Sequence, residues 1–268
     1  LEALSKPEWC KAMKDEYAAL IKNNTWSLVD LPHGCNAIGC KWVFKSKYNA
    51  DGSFQKHKAC LVAKGFHQRE GFDFTDTFSP VIKPTTVRVV LTFALSHNWH
   101  IHQIDINNAF LNGDLKETVY MLQPPGFSST HKGKVCKLNK AIYGLKQAPR
   151  SWFQKLNTTL FHFGFSAAKS DSSLFFKITP TSTMLVLIYV DDILITGSSQ
   201  FEIQSLISKL NSTFKLKDLG PLHYLLGIEV CRKADGSLLL SQRNIFKIFY
   251  IELKCMIPSL NQLPWFLV

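Results

Sequence analysis

Met184-Leu185-Val186-Leu187-Ile188-Tyr189-Val190-Asp191-Asp192-Ile193-Leu194-Ile195-Thr196-Gly197 is the stretch whose reading decides the fold. Two apolar runs flank a tight corner, and the corner carries two adjacent carboxylates. Such runs predict a β-hairpin with the acids at its tip. An ionised carboxylate is costly beside apolar surface unless a positive charge pairs with it. A divalent cation would supply that charge. Asp is also a common turn residue, so the hairpin by itself leaves a plain turn and a cation site both open.

A third acid extends the pattern. Asp105 stands in Trp99-His100-Ile101-His102-Gln103-Ile104-Asp105-Ile106-Asn107-Asn108-Ala109-Phe110. A strand here puts Ile104 and Ile106 on one face and Asp105 on the other. Three carboxylates at two strand ends suit two Mg²⁺ ions about 3.5–4 Å apart, as polymerases and nucleases use them. Mg²⁺ takes oxygen ligands and keeps waters and substrate phosphates in its shell, so few protein groups are needed.

The chain has 268 residues and is 46% hydrophobic, enough for a large core in two or three subdomains. Its net charge of +11 and pI near 9.3 suit a polyanionic partner. Between Thr118 and Ser170 there is no acid but eight basic residues, Lys132, Lys134, Lys137, Lys140, Lys146, Arg150, Lys155 and Lys169. Lys41 to Glu70 holds seven basic residues and two acidic ones. These acid-poor stretches bracket Asp105 and predict a phosphate-binding channel, against the plainer expectation of a solvated face. The seven cysteines include no Cys-x-x-Cys, and Cys35-x4-Cys40 beside His33 is a poor zinc pattern. Reduced thiols in an intracellular protein are expected. The polar, helical start predicts no signal peptide. Lys247, Glu252, Lys254, Pro258 and Pro264 break the apolar tail, so no membrane span is expected there. The first residue is Leu1, so the chain is expected to be cut from a longer one.

Along the chain, Ser5 and Glu8 have capping-box spacing before a first helix reaching about Lys22. Short strands run from Trp26 to Val62, with Asp51-Gly52 signalling a hairpin. Pro84 opens a helix carrying Val87, Val90, Leu91 and Ala94. Pro149 opens another, with Trp152, Phe153, Leu156, Leu160 and Phe163 inward and Gly164 past its end. Ser199 and Glu202 cap a helix burying Ile203, Leu206, Ile207 and Leu210. Strands at Tyr224–Cys231 and Ser237–Leu240 follow.

Several further stretches occur in a fixed order: Asn24-Thr25-Trp26-Ser27-Leu28-Val29, Lys41-Trp42-Val43-Phe44-Lys45, Leu61-Val62-Ala63-Lys64-Gly65-Phe66, Thr77-Phe78-Ser79-Pro80-Val81, Gln123-Pro124-Pro125-Gly126-Phe127, Tyr143-Gly144-Leu145-Lys146-Gln147-Ala148-Pro149-Arg150 and Leu226-Gly227-Ile228-Glu229-Val230. With Asp105–Asp114 and the Asp191-Asp192 corner, this set resembles the reverse transcriptase domain of copia-type LTR retrotransposons of plants, from about Leu1 to Gln242. The resemblance implies an α+β palm-and-fingers polymerase fold, with an antiparallel palm sheet packed on helices. An N-terminal helix would occupy 1–23 and a fingers-like basic β region 24–84. A palm would occupy 85–243, interrupted by a basic segment near 116–150, with a divergent tail at 244–268.

The implied activity is RNA-directed DNA polymerisation by part of a Pol polyprotein, with two Mg²⁺ ions (or Mn²⁺). A dNTP would be joined to the 3′-hydroxyl of a primer on an RNA or DNA template. Integrase and RNase H domains would be partners in the full polyprotein. The setting would be a cytoplasmic particle or the nucleus, with no membrane. By position in the motifs, Asp105 and Asp191 would bridge both ions, aided by the Ile106 carbonyl and Asp192. Phe110 would be a steric gate beneath the nucleotide sugar, or else a core aromatic. Gln147 would serve the nucleotide, and Lys45 and Lys58, with Lys56, the triphosphate or the template backbone, or else be solvated surface lysines. Gly144, Lys146, Arg150, Leu226 and Gly227 would serve template and primer.

Two departures stand out. Cys60 occupies a place where the family usually has Arg, and a thiol cannot replace forked guanidinium donors on a triphosphate. After Gln242 the match stops, and a shifted reading frame for 243–250 could restore the family's helix. A frameshift near Asn244 is therefore expected. The competing expectations are a catalytically inactive, decayed copy that at most binds nucleic acid, and a metal hydrolase built on His100-x-His102 with Asp105.

Overall fold

A computed structural model of the chain describes residues 5–48, 53–127, 133–233 and 236–242. The tail beyond Gln242 and the Asp51-Gly52 turn lie outside the described residues. The fold mixes helices and sheets, and almost every strand pairing is antiparallel.

Helix α1 (Pro7–Lys22) opens the chain. Its N-cap is Lys6, without a side-chain cap, one residue past the Ser5 that the capping-box spacing selects. Proline supplies the start instead, since its missing N–H is not needed in the first turn. Strands β1 (Trp26–Val29), β2 (Ala37–Ile38), β3 (Cys40–Tyr48) and β4 (Phe54–Ala63) follow. β3 and β4 form a two-stranded ribbon, with Val43 opposite Cys60, Lys45 opposite Lys58 and Lys47 opposite Lys56. The alternating pleat sends these residues to one face. The other face carries Trp42, Phe44, Ala59 and Leu61, and α1 covers it. The ring of Trp9 lies 5.1 Å from Phe44 and 4.2 Å from His57.

Helix α2 (Pro84–Ser96) buries Val87, Val90, Leu91 and Ala94, the four positions its periodicity selects. Then come β5 (His100–Ile106), β6 (Tyr120–Met121), β7 (Val135–Leu138), α3 (Ala148–His162), β8 (Ser166–Ala167), β9 (Leu174–Ile178), β10 (Thr183–Tyr189) and β11 (Asp192–Gly197). Helix α4 (Gln200–Thr213) and strands β12 (Leu216–Pro221), β13 (Tyr224–Leu225), β14 (Ile228–Arg232) and β15 (Leu238–Ser241) complete the chain. Ser199 caps α4 by accepting from the Glu202 amide at 3.4 Å. The expected single strand from Tyr224 to Cys231 is instead two, folded back at Leu226 (φ +52°) and Gly227 (φ +83°).

The central sheet has the order β12-β5-β11-β10-β9-β8. Its two faces differ sharply. One presents Ile104, Ile106, Ile193 and Ile195, all at most 1% exposed, to α3 and α4. The other carries Leu187 and Leu194 against α2 and the β13–β15 sheet. β1, β7, β6 and β2 form a separate sheet in the cluster that includes α1 and the ribbon.

Two glycines seam the ribbon to the loop before α3. Gly144 has φ +90°, and a Cβ there would stand 2.2 Å from the Ala63 carbonyl oxygen. A Cβ on Gly65 would stand 2.0 Å from the Gly144 oxygen. The Ala63 amide donates to Tyr143 O at 2.8 Å across the same seam. Left-handed backbone alone costs about 1–3 kcal/mol for a residue with a side chain. Gly144→Ala is therefore expected to lower the unfolding free energy by at least about 2 kcal/mol in denaturant titration.

Candidate active site

Sheet register builds the site. Asp192 on β11 stands directly opposite Asp105 on β5, and Tyr189 opposite Asp192. On the other side of β5, Lys217 of β12 stands opposite Asp105. Lys217, Asp105, Asp192 and Tyr189 thus form one row across four strands, and directly opposed residues share a face. It is the face away from the isoleucines.

Asp191 sits with Val190 in the two-residue turn between β10 and β11. Val190 has φ +54°, rare for a β-branched residue. Two hydrogen bonds hold that turn: Trp152 Nε1 donates to Val190 O at 2.6 Å, and the Ile106 amide donates to Asp191 O at 2.9 Å. The strain is about 1–3 kcal/mol, while each isoleucine buried beneath contributes about 1.5–3 kcal/mol. Packing therefore decides the shape of the corner.

The acids feel one another. Burial, then the charge of Asp191, holds the Asp105 carboxyl above the usual carboxylate range, against the pull of Lys47, Lys217 and Lys58. Burial likewise raises Asp192, against a hydrogen bond from Gln103 Nε2 at 3.2 Å. Asp191 and Asp105 raise Asp192 further. Among the described residues, no three acids, histidines or cysteines close around a single point in a metal-holding cluster. The carboxylates of Asp105 and Asp192 on this row nonetheless offer oxygen donors, which fit Mg²⁺ or Mn²⁺ rather than zinc.

A cleft of about 490 Å³ opens over Asp105 and Asp192, lined also by Gln103, Tyr224, Leu226 and Gly227 among others. The β13–β14 turn therefore overhangs the acids. Two lysines of the β3–β4 ribbon face, Lys47 and Lys58, act electrostatically on Asp105. Like charges directly opposed, as in Lys45–Lys58 and Lys47–Lys56, destabilise a hairpin by a few tenths of a kcal/mol or more. Cys60 lies on this face too; burial pushes its thiol up, against the pull of Lys58.

Residues 23–252 match the family described as "Reverse transcriptase (RNA-dependent DNA polymerase)". The chain belongs to this family. It is 49% identical over 245 residues to "Retrovirus-related Pol polyprotein from transposon RE1" of Arabidopsis thaliana, covering 91% of this chain and 17% of that protein. It is 43% identical over 257 residues to "Retrovirus-related Pol polyprotein from transposon TNT 1-94" of Nicotiana tabacum, covering 94% of this chain and 19% of that one. The copia-type resemblance is thus borne out, and the chain spans under a fifth of the length of these relatives. Among solved structures, a Candida albicans telomerase aligns with TM-score 0.42 and 10% identity, over 94% of this chain and 56% of that one.

Other sequence-predicted residues of the reverse transcriptase domain have protein partners. Phe110 lies between two hydrophobic clusters, edge-on to Tyr143 at 4.9 Å. Gln147 is 1% exposed; its Oε1 accepts from Gln68 at 3.0 Å and its Nε2 donates to Asp73 O at 2.9 Å. Lys146 lies 4.7 Å over the Phe74 ring and donates to Gln68 O at 3.4 Å. Arg150 pairs with Asp76 at 2.9 Å. Lys140 and Lys155 both bind Asp114. The close approach permitted by Gly144 is to Ala63, within the protein.

The histidine-based hydrolase expectation fails on parity. His102 shares its face with Ile104, opposite to Asp105, and pairs with Asp218 at 2.6 Å. No described helix is long and apolar enough to cross a membrane. Sequence reading missed three residues here: Gln103, Lys217 and Tyr143. Burial raises the Tyr143 hydroxyl, with Asp191, Cys60, Glu16 and Asp105 adding to it. Only Gln103 had a signal, a polar residue two before Asp105 and hence on its face.

A raised carboxyl has a testable sign. In the metal-free chain, stability falls as pH rises from the ordinary carboxylate range through the raised value of Asp105, and it stays lower above that. Asp105→Asn removes the charge. Its melting temperature is expected to exceed the parent's by a few degrees at neutral pH, with the gain vanishing below the ordinary carboxylate range. No gain at neutral pH would contradict the crowding of these acids.

Proposed function

We propose that this reverse transcriptase domain catalyses two-metal nucleotidyl transfer from a dNTP to a primer 3′-hydroxyl on an RNA or DNA template. The observation that carries the reading is the shared row of Asp105 and Asp192 beside the Asp191 turn, lining a cleft, with the charges of Lys47, Lys217 and Lys58 acting on Asp105. Asp105 and Asp191 would hold both ions, with the Ile106 carbonyl and Asp192 as further ligands. Such ions, when bound, would lower the pKa of the primer hydroxyl and offset charge on the leaving pyrophosphate.

The chain's own groups have separable tasks. Lys45, Lys56 and Lys58 would meet the triphosphate from the ribbon, which corresponds to fingers at 24–84. The six-stranded sheet and its helices within 85–243 correspond to the palm. The Leu226-Gly227 turn would press the primer end toward the acids. Phe110 would stand beneath the sugar and exclude a 2′-hydroxyl, with Tyr143 behind it. Gln147 would act through the Gln68–Asp73 loop that it ties down, more than by touching a base. Lys146 and Arg150 would reach template phosphates only by exchanging their present partners. Integrase and RNase H partners and an intracellular setting follow from the same reading.

Cys60 favours a second reading. A half-buried thiol on the lysine face offers a triphosphate no forked donors, so the copy would bind nucleic acid without turning over. Primer extension with Mg²⁺ separates the two. The first reading expects incorporation by the parent and a loss of at least about 100-fold in Asp191→Asn, the scale of removing one preorganised electrostatic group. A substantial rate in Asp191→Asn would sink the assignment. Binding without extension by the parent supports the inactive copy.

In the same assay, Phe110→Ala is expected to raise the ratio of ribonucleotide to deoxynucleotide use, by up to about 100-fold. An unchanged ratio would return Phe110 to the core.

A further inference from the structure

Across the central sheet, the row next to the acids runs Gly220, Gln103, Leu194, Leu187, Leu174. Gln103 is its only polar side chain. It is 6% exposed, yet it lines the cleft over Asp105 and Asp192. A leucine would continue the row, so packing alone does not explain an amide. Gly220 offers no side chain on one flank, and Leu194 is apolar on the other. The amide instead reaches diagonally to Asp192, with Nε2 donating to Oδ1 at 3.2 Å. Among the described residues, neither Asp105 nor Asp191 receives a side-chain hydrogen bond of this kind.

We infer that Gln103 is a positioning residue for metal binding: it fixes one oxygen of Asp192 and leaves the other aimed at a divalent cation. The inference rests on the reading of the acids as cation ligands. A neutral donor suits this place. A cationic side chain would compete with the metal for the carboxylate, and a further acid would repel its neighbours. Hydrogen-bonded partners of metal ligands tune affinity by orienting them, and their loss weakens binding by about 10–100-fold. Asp192 thereby differs from Asp105 and Asp191, whose oxygens stay free to turn toward two ions.

Mn²⁺ binding, measured by electron paramagnetic resonance on the full chain without substrate, tests this in a double-mutant cycle. Gln103→Met keeps the length and removes the donor; it is expected to weaken Mn²⁺ binding about 10-fold. In an Asp192→Asn background the same substitution is expected to change nothing, because Gln103 acts through Asp192. Equal losses in both backgrounds, or no loss in either, overturn the inference and leave the acids' role intact. A parent that binds no Mn²⁺ overturns the reading of the acids and this inference with it. Should Gln103→Met not fold, Gln103→Asn keeps the amide but falls short of Asp192, and carries the same expectations.

Discussion

The antiparallel register of β5 with β11 is the constraint on which the rest depends. It sets Asp105 opposite Asp192, and a slip by one residue would send one of them into the isoleucine face. Ile104 and Ile193 stand opposite each other in the same pairing, both with no exposed surface. The register is therefore enforced from below, by packing against α3 and α4, while its benefit appears above, in the cleft. Polar function and apolar stability are two sides of one alignment.

The charges follow a similar division. The acids occupy the end of a sheet, the lysines a ribbon that approaches it from another part of the chain. The acid-free stretch from Thr118 to Ser170 is less bare in space than in sequence. Asp114 takes Lys140 and Lys155, and Asp76 takes Arg150. Local charge counting overstated that region's free positive potential, whereas Lys47 and Lys58 of the ribbon still pull on the Asp105 carboxyl.

Much of this was legible in the sequence where periodicity speaks. The hairpin around Asp191, the buried positions of α2 and α4 and the proline start of α3 all follow from spacing. The helix takes Lys6 and not Ser5 as its N-cap, because Pro7 gives it a start one residue beyond the one that the capping-box spacing selects. Residues defined by lateral neighbours were invisible. Lys217 joins the acids only through β12 pairing with β5, and Tyr143 only through the seam beneath Gly144. The partners that hold Gln147, Gln68 and Asp73, lie more than 70 residues upstream, beyond the reach of local spacing.

The glycine seam has a mechanical corollary. From Ala63 at the end of the lysine ribbon, one backbone bond leads to Tyr143, the next residue presses on the ribbon itself, and α3 begins four residues later. Trp152, in the second turn of that helix, grips the carbonyl of Val190 in the acidic corner. No slack segment intervenes. The ribbon and the corner are thus joined by one unbroken run of close contacts through the start of α3.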